Sequence, residues 1–169
     1  RCAFNVVTGA GDDIEGTADS FHFAYQQLHG NCRIQARVRS VANTNEWAKA
    51  GVMIRAALTP ESPHAMVVIT PKHGAVFQWR VAVGQALQTA LGPQVVAPRW
   101  VRVDRTADSF TGFVSADGQT WQQIGTAQQI PLGPDDLVGL AVTSHDGSLQ
   151  DPLPFNSSVF DNLTVQALP

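Results

Sequence analysis

From Trp47 to Arg80 apolar side chains alternate with other types in three successive runs. Lys49 to Ala57 closes at Pro60 and Pro63, His64 to Thr70 at Pro71 and Gly74, and Ala75 to Val83 at Gly84. A period of two sends successive side chains to opposite faces, so the pattern predicts three strands in a row. One face collects Ala50, Val52, Ile54, Ala65, Val67, Ile69, Phe77, Trp79 and Val81, and is expected to be buried. The other collects Lys49, Met53, Arg55, His64, Met66, Gln78 and Arg80. That second face reads either as the ordinary wet side of an antiparallel sheet or as a ligand-binding surface.

The same alternation recurs along the chain. Ala3 to Val7, Ser20 to Gln26, Cys32 to Ser40, Arg99 to Arg105, Ser109 to Ala116, Gln119 to Ile124 and Ser158 to Val165 each read as strands. Leu137 to Ser144 is apolar on both sides and predicts an interior strand. Residues 85–97 read as a loop with at most a short strand, and residues 9–13 as a turn carrying two adjacent acids. Asp117-Gly118 is the strongest hairpin signal. About ten or eleven short strands and no long helix predict an all-β, two-sheet antiparallel sandwich, with residues 1–169 as a single domain.

Composition narrows the function classes. Hydrophobic residues make up 44% and charged residues 15%, which suits a packed globular chain of 169 residues. The net charge is -3 with no basic run, so nucleic acid is not an expected partner. No apolar run approaches membrane-spanning length. The chain begins mid-motif at Arg1, as a trimmed mature protein or an excised module would. Its two cysteines, Cys2 and Cys32, are too few for a disulfide scaffold. A single Cys2–Cys32 bridge would tie down the N-terminus in an oxidising compartment, and two independent buried thiols are the alternative.

Several stretches together resemble a known group. GDDIEGTADSFHFAYQ, WAKAGVMIR, HAMVVITP, FQWR, WVRVDR, SADGQTW, GLAVTSHD and FDNLTV look like the concanavalin A-like jelly-roll modules found beside bacterial secreted glycoside hydrolases. The resemblance runs from about Gly11 to Val165 and rests most on WAKAGVMIR and GLAVTSHD. It implies a two-sheet jelly roll with a concave and a convex face, placed outside the cell or in the periplasm. It also implies relatives among glucanases, alginate lyases and lectins. Jelly-roll binding modules of this kind hold a structural Ca²⁺ near the chain ends, which makes Asp12, Asp13 and Asp161 candidate ligands. The bland alternative is turn chemistry at Asp12 and Asp13 and an exposed strand residue at Asp161.

For catalysis, a retaining glucanase needs two carboxylates on one sheet surface. The three glutamates, Glu15, Glu46 and Glu61, read as loop or turn positions, with no acid two residues away on a strand. A jelly-roll lyase would need a Tyr beside a His, and the single tyrosine, Tyr25, reads as core. The five histidines show no zinc spacing. SADGQTW resembles a sialidase Asp box, which implies that Asp117 caps the hairpin while Trp121 packs beneath it. The expectation is a non-catalytic carbohydrate-binding module, monomeric or one part of a multidomain chain. A glucanase or lyase, and an adhesion module that binds no sugar, are the rivals. Its polysaccharide or oligosaccharide would lie along Lys49, Arg55, His64, Gln78 and Arg80, with Trp47 at the rim. Against this stands burial of the same face under a loop, with Arg55 and Arg80 paired to Asp104 or Asp108.

Overall fold

The computed structural model describes residues 4–148 and 154–169. Cys2 lies outside the described residues, and with it the expected bridge. These residues form β1 (Phe4–Gly9), β2 (Asp13–Glu15), β3 (Ala18–Ser20), β4 (His22–His29), β5 (Cys32–Ser40), β6 (Lys49–Arg55) and β7 (His64–Ile69). They continue with β8 (Ala75–Arg80), β9 (Gln88–Leu91), β10 (Arg99–Thr106), β11 (Ser109–Ser115), β12 (Gln122–Gln129), β13 (Asp135–Thr143) and β14 (Asn156–Ala167). One six-stranded sheet runs β1-β14-β5-β10-β11-β12 and the other β4-β13-β6-β7-β8-β9. All strand pairs are antiparallel. The fold is an all-β jelly-roll sandwich, and β13 is interior as its two apolar faces require.

The core lies between the sheets. Ala50, Val52, Ile54, Ala65, Val67, Ile69 and Phe77 meet Ile34, Ala36, Val38, Val101, Val103, Phe110 and Phe160 from across the sandwich. This is the apolar face that alternation predicts. Gly112 allows a close approach: a Cβ there would come within 2.7 Å of the Phe77 ring. Cys32 joins the core as a thiol, and burial pushes its pKa up to about 11.

Residues 9–13, expected as a simple turn, lead into a two-stranded hairpin, β2–β3, that belongs to neither large sheet. Gly16 (φ 56°) opens its two-residue loop, the place where a hairpin needs a positive φ. Ile14 and Asp19 sit opposite each other and so share one face of the hairpin. That face lies on the outer side of the second sheet. Ile14 packs with Met53, Met66, Val68, Val76 and Ala141 in a second, smaller core. Full burial of such a side chain contributes roughly 1.5–3 kcal/mol.

Asp19 supplies the polar half of the attachment. Its Oδ1 and Oδ2 accept from Arg80 Nη2 and Nη1 at 2.7 and 2.8 Å, a bidentate pair with both side chains fully buried. Arg55 Nη1 reaches Oδ2 at 3.4 Å. Remaining guanidinium hydrogens go to backbone carbonyls: Arg80 to Gln85, Pro60, Ser62, Glu15 and Gly16, and Arg55 to Ala57 and Thr59. The expected partners Asp104 and Asp108 are not used; Asp104 pairs with Arg33 instead. Asp19→Ala leaves two buried cations without their counter-ion, so it should cost about 3–5 kcal/mol of unfolding free energy. Urea unfolding of the variant measures this, and a loss below about 1 kcal/mol would contradict the role assigned to Asp19.

Candidate functional site

The hairpin divides the predicted face in two. Arg55, His64 and Arg80 lie beneath it, each 1% exposed or less. Trp47, Lys49 and Gln78 line a cavity of about 310 Å³ at its side. Register explains the split. Arg55, His64 and Arg80 form one row across β6, β7 and β8, and Met53, Met66 and Gln78 the next, continued by Thr89 on β9. The first row is covered by Asp19, and the second emerges from under Ile14 at Gln78.

His64 has no access to solvent. Its Nδ1 lies 3.2 Å from the Ser62 carbonyl and 3.6 Å from Asp19 Oδ2, while Nε2 has no partner. Complete burial lowers its pKa to about 4, and Arg55 and Arg80 add to that against the pull of Asp19. The imidazole is therefore neutral at pH 7 and is a structural group in this fold.

The cavity is built from the hairpin, three strands and two loops. Asp13 and Glu15 come from β2, Lys49 and Gln78 from β6 and β8, and Thr89 from β9. Trp47 and His145 close the ends. Trp47 is held by stacking on His73, with ring centroids 3.6 Å apart. Lys49 Nζ donates to Asp13 Oδ1 and, at 3.4 Å, to the Ile14 carbonyl. His145 Nδ1 lies 3.0 Å from Asp13 Oδ2. Gln78 Nε2 donates to Thr89 Oγ1 at 3.0 Å, and Gln78 Oε1 has no partner. A buried polar atom without a partner costs about 1–3 kcal/mol.

Asp13 and Glu15 are two residues apart on a strand, which overturns the expectation that Glu15 stands alone in a turn. Such spacing puts both carboxyls on the same side of β2. Each carboxyl perturbs the titration of the other. Burial pushes Asp13 up, but Lys49, by charge and by hydrogen bond, brings the net shift below the usual carboxylate range. The neighbouring Asp13 carboxyl raises Glu15, and partial burial adds to it. Lys49 is thus neutralised by Asp13, and Glu15 is the more readily protonated acid.

Other predicted residues lie elsewhere. Asp161, on β14 of the first sheet, makes a bidentate pair with Arg37 at 2.7 and 2.5 Å. Asp12 is exposed and packs against Gly147, where a Cβ would fall 1.1 Å from its Oδ1. Asp12, Asp13 and Asp161 therefore have separate partners. No group of three or more His, Cys, Asp or Glu among the described residues is arranged to hold a metal. Tyr25, expected in the core, is 47% exposed on the sheet-edge strand β4 and stacks on Phe23 at 5.3 Å. Asp117 caps its hairpin by accepting from the backbone N–H groups of Gln119 and Thr120, which lower its pKa to about 2. The ring beneath that turn is Trp100, 2.7 Å from where a Gly118 Cβ would stand. Trp121 instead is half-buried and stacks under Arg102 at 4.4 Å.

No family model and no curated protein matches the chain. Solved structures do match in fold. A functionally unknown protein from Saccharomyces cerevisiae aligns over 98% of this chain and 89% of its own at 18% identity, with a TM-score of 0.72. The GH43 protein BlXynB from Bacillus licheniformis aligns at 10% identity and a TM-score of 0.69. That match takes in 98% of this chain but 33% of BlXynB, so the chain spans about a third of that protein. The carbohydrate binding module CBM66 from Bacillus subtilis aligns over 98% of this chain and 96% of its own at 14% identity, with a TM-score of 0.58. At these identities the likeness is one of fold: a jelly roll shared with glycoside-hydrolase-associated proteins and a binding module.

The buried imidazole generates a pH prediction. The unfolded chain protonates His64 at about pH 6.5 and the folded chain at about 4, so in between the unfolded state holds the extra proton. Stability falls as pH drops through that window, by on the order of 3 kcal/mol from this group. In urea unfolding at pH 7.0 and 4.5, His64→Gln should lose clearly less stability than the parent. Equal losses would contradict a neutral, buried His64.

Proposed function

We propose that the chain is a non-catalytic carbohydrate-binding module whose sugar sits in the cavity between the β2–β3 hairpin and β9. The observation that carries this reading is the Gln78 amide. It is 5% exposed, its Oε1 lacks a partner, and it lies at the wall of a cavity that also holds Trp47 and Glu15. An aromatic wall beside a few fixed polar groups is the usual composition of a sugar site. The fold shared with a carbohydrate binding module and with part of a GH43 protein supports the reading by analogy. A place outside the cytoplasm, on a multidomain polysaccharide-active protein, goes with it.

A second reading, glycoside cleavage, draws support from the unequal acids Asp13 and Glu15. Geometry favours binding. Two catalytic carboxyls flank the scissile bond and stand about 5–5.5 Å apart or more. Here Asp13 is already engaged by Lys49 and faced by His145, so it is not a free carboxylate poised at a scissile bond.

The test is a polysaccharide microarray probed with the isolated chain, followed by titration of any bound glycan. Trp47→Ala should weaken binding roughly tenfold, about 1.4 kcal/mol, by removing the stacking wall. Binding unchanged by Trp47→Ala would place the site elsewhere. Release of shorter saccharides from the bound polymer would favour the enzyme.

A further inference from the structure

We propose, building on that reading of the cavity, that it selects glycans presenting hydrogen-bond donors and excludes those presenting carboxylates. The donors are sugar hydroxyls or the ammonium of an amino sugar. This inverts the preference suggested by the row of cations along the strands.

The argument follows each charge and lone pair to its partner. Arg55 and Arg80, the groups suited to grip a uronate, are sealed under the hairpin with Asp19. Lys49 faces the cavity, but its side chain is 3% exposed and its ammonium is held by Asp13 and the Ile14 carbonyl. His145 turns Nδ1 to the other oxygen of Asp13. Lys49, the lysine lining this site, therefore already serves Asp13. What remains for a ligand is mostly acceptor. Gln78 Oε1 is a carbonyl oxygen without a partner, while Nε2 donates to Thr89 Oγ1. Glu15 is exposed at the mouth and carries a carboxyl beyond the Asp13–Lys49 pair. The formal sum over Asp13, Glu15 and Lys49 is one negative charge. A ligand hydroxyl or ammonium completes Gln78 and meets Glu15 favourably. A ligand carboxylate meets both with the wrong sign, and among the described residues lining the cavity Lys49 is already held by Asp13.

The experiment compares three kinds of polymer at pH 6.0 on one array and by titration calorimetry. They are neutral glucans, xylans, mannans and fructans; chitosan; and polygalacturonate with alginate. The expected result is binding to at least one neutral polymer or to chitosan, with uronates at least tenfold weaker. Glu15→Lys, a change at an exposed position, should improve uronate binding at least fivefold and weaken chitosan binding where the parent binds it. Gln78→Met should weaken the best non-acidic ligand at least fivefold. Retention by a neutral polymer identifies hydroxyls as the donors, and retention by chitosan alone identifies the ammonium. Uronates bound as tightly as neutral polymers, with Trp47→Ala weakening both, would overturn the selectivity while sparing the site. Absence of binding to every polymer would overturn the carbohydrate reading itself.

Discussion

A single buried carboxylate, Asp19, decides how this jelly roll is finished. The second sheet carries Arg55 and Arg80 on its outer side, in the middle of a surface that also holds Met53, Met66 and Val68. Two guanidinium groups side by side on a dry surface would be costly alone. The β2–β3 hairpin resolves this with one residue of each kind needed. Ile14 covers the thioethers and Asp19 neutralises the cations. Backbone carbonyls from the hairpin, the Thr59–Ser62 turn, Ala57 and Gln85 take the remaining guanidinium hydrogens. Such a pair fixes position more than it adds net stability, because desolvation offsets much of its attraction.

Fixing the hairpin in place creates the cavity beside it. Asp13 is two residues from Glu15 on the same short strand, so the element that covers the arginines also carries both acids to the row of Gln78 and Thr89. Lys49 then meets Asp13, and the acceptors are left over. The electrostatic character of the site is thus a consequence of what the hairpin has already consumed. The cations that look available along the strands are the ones the fold uses to hold itself together.

Much of this was legible in the pattern of residues, and some was not. The core faces of β6, β7 and β8 follow from alternation over six or seven residues, where period two is unambiguous. The hairpin strands are three residues each, too short for any period to register, and two adjacent acids before them read as turn chemistry. A signal was present: Gly16 at the first position of a two-residue loop, flanked by Ile14 and Asp19 at opposed positions. Without that hairpin, Arg55, His64 and Arg80 look like a wet binding row, and Glu15 looks isolated. Tyr25 was misplaced for a related reason. Its strand is aromatic on one side, but it is an edge strand whose aromatic side faces outward. Trp47, Lys49 and Gln78 flank the covered part of the face, so the same alternation sets them beside the cavity.

The central claim is that ligand recognition falls on the acceptor-lined cavity and spares the arginine row. The most direct measurement is a nuclear magnetic resonance titration of the isotope-labelled chain with a glycan it retains. The account predicts that the Gln78 side-chain amide, the Trp47 indole N–H and the backbone of residues 13–15 and 88–90 shift with the ligand. The Arg55 and Arg80 guanidinium signals should stay unchanged. Shifts centred on Trp121 and Arg99, around the cavity at the Asp117 hairpin, with the Gln78 amide unmoved, would contradict it.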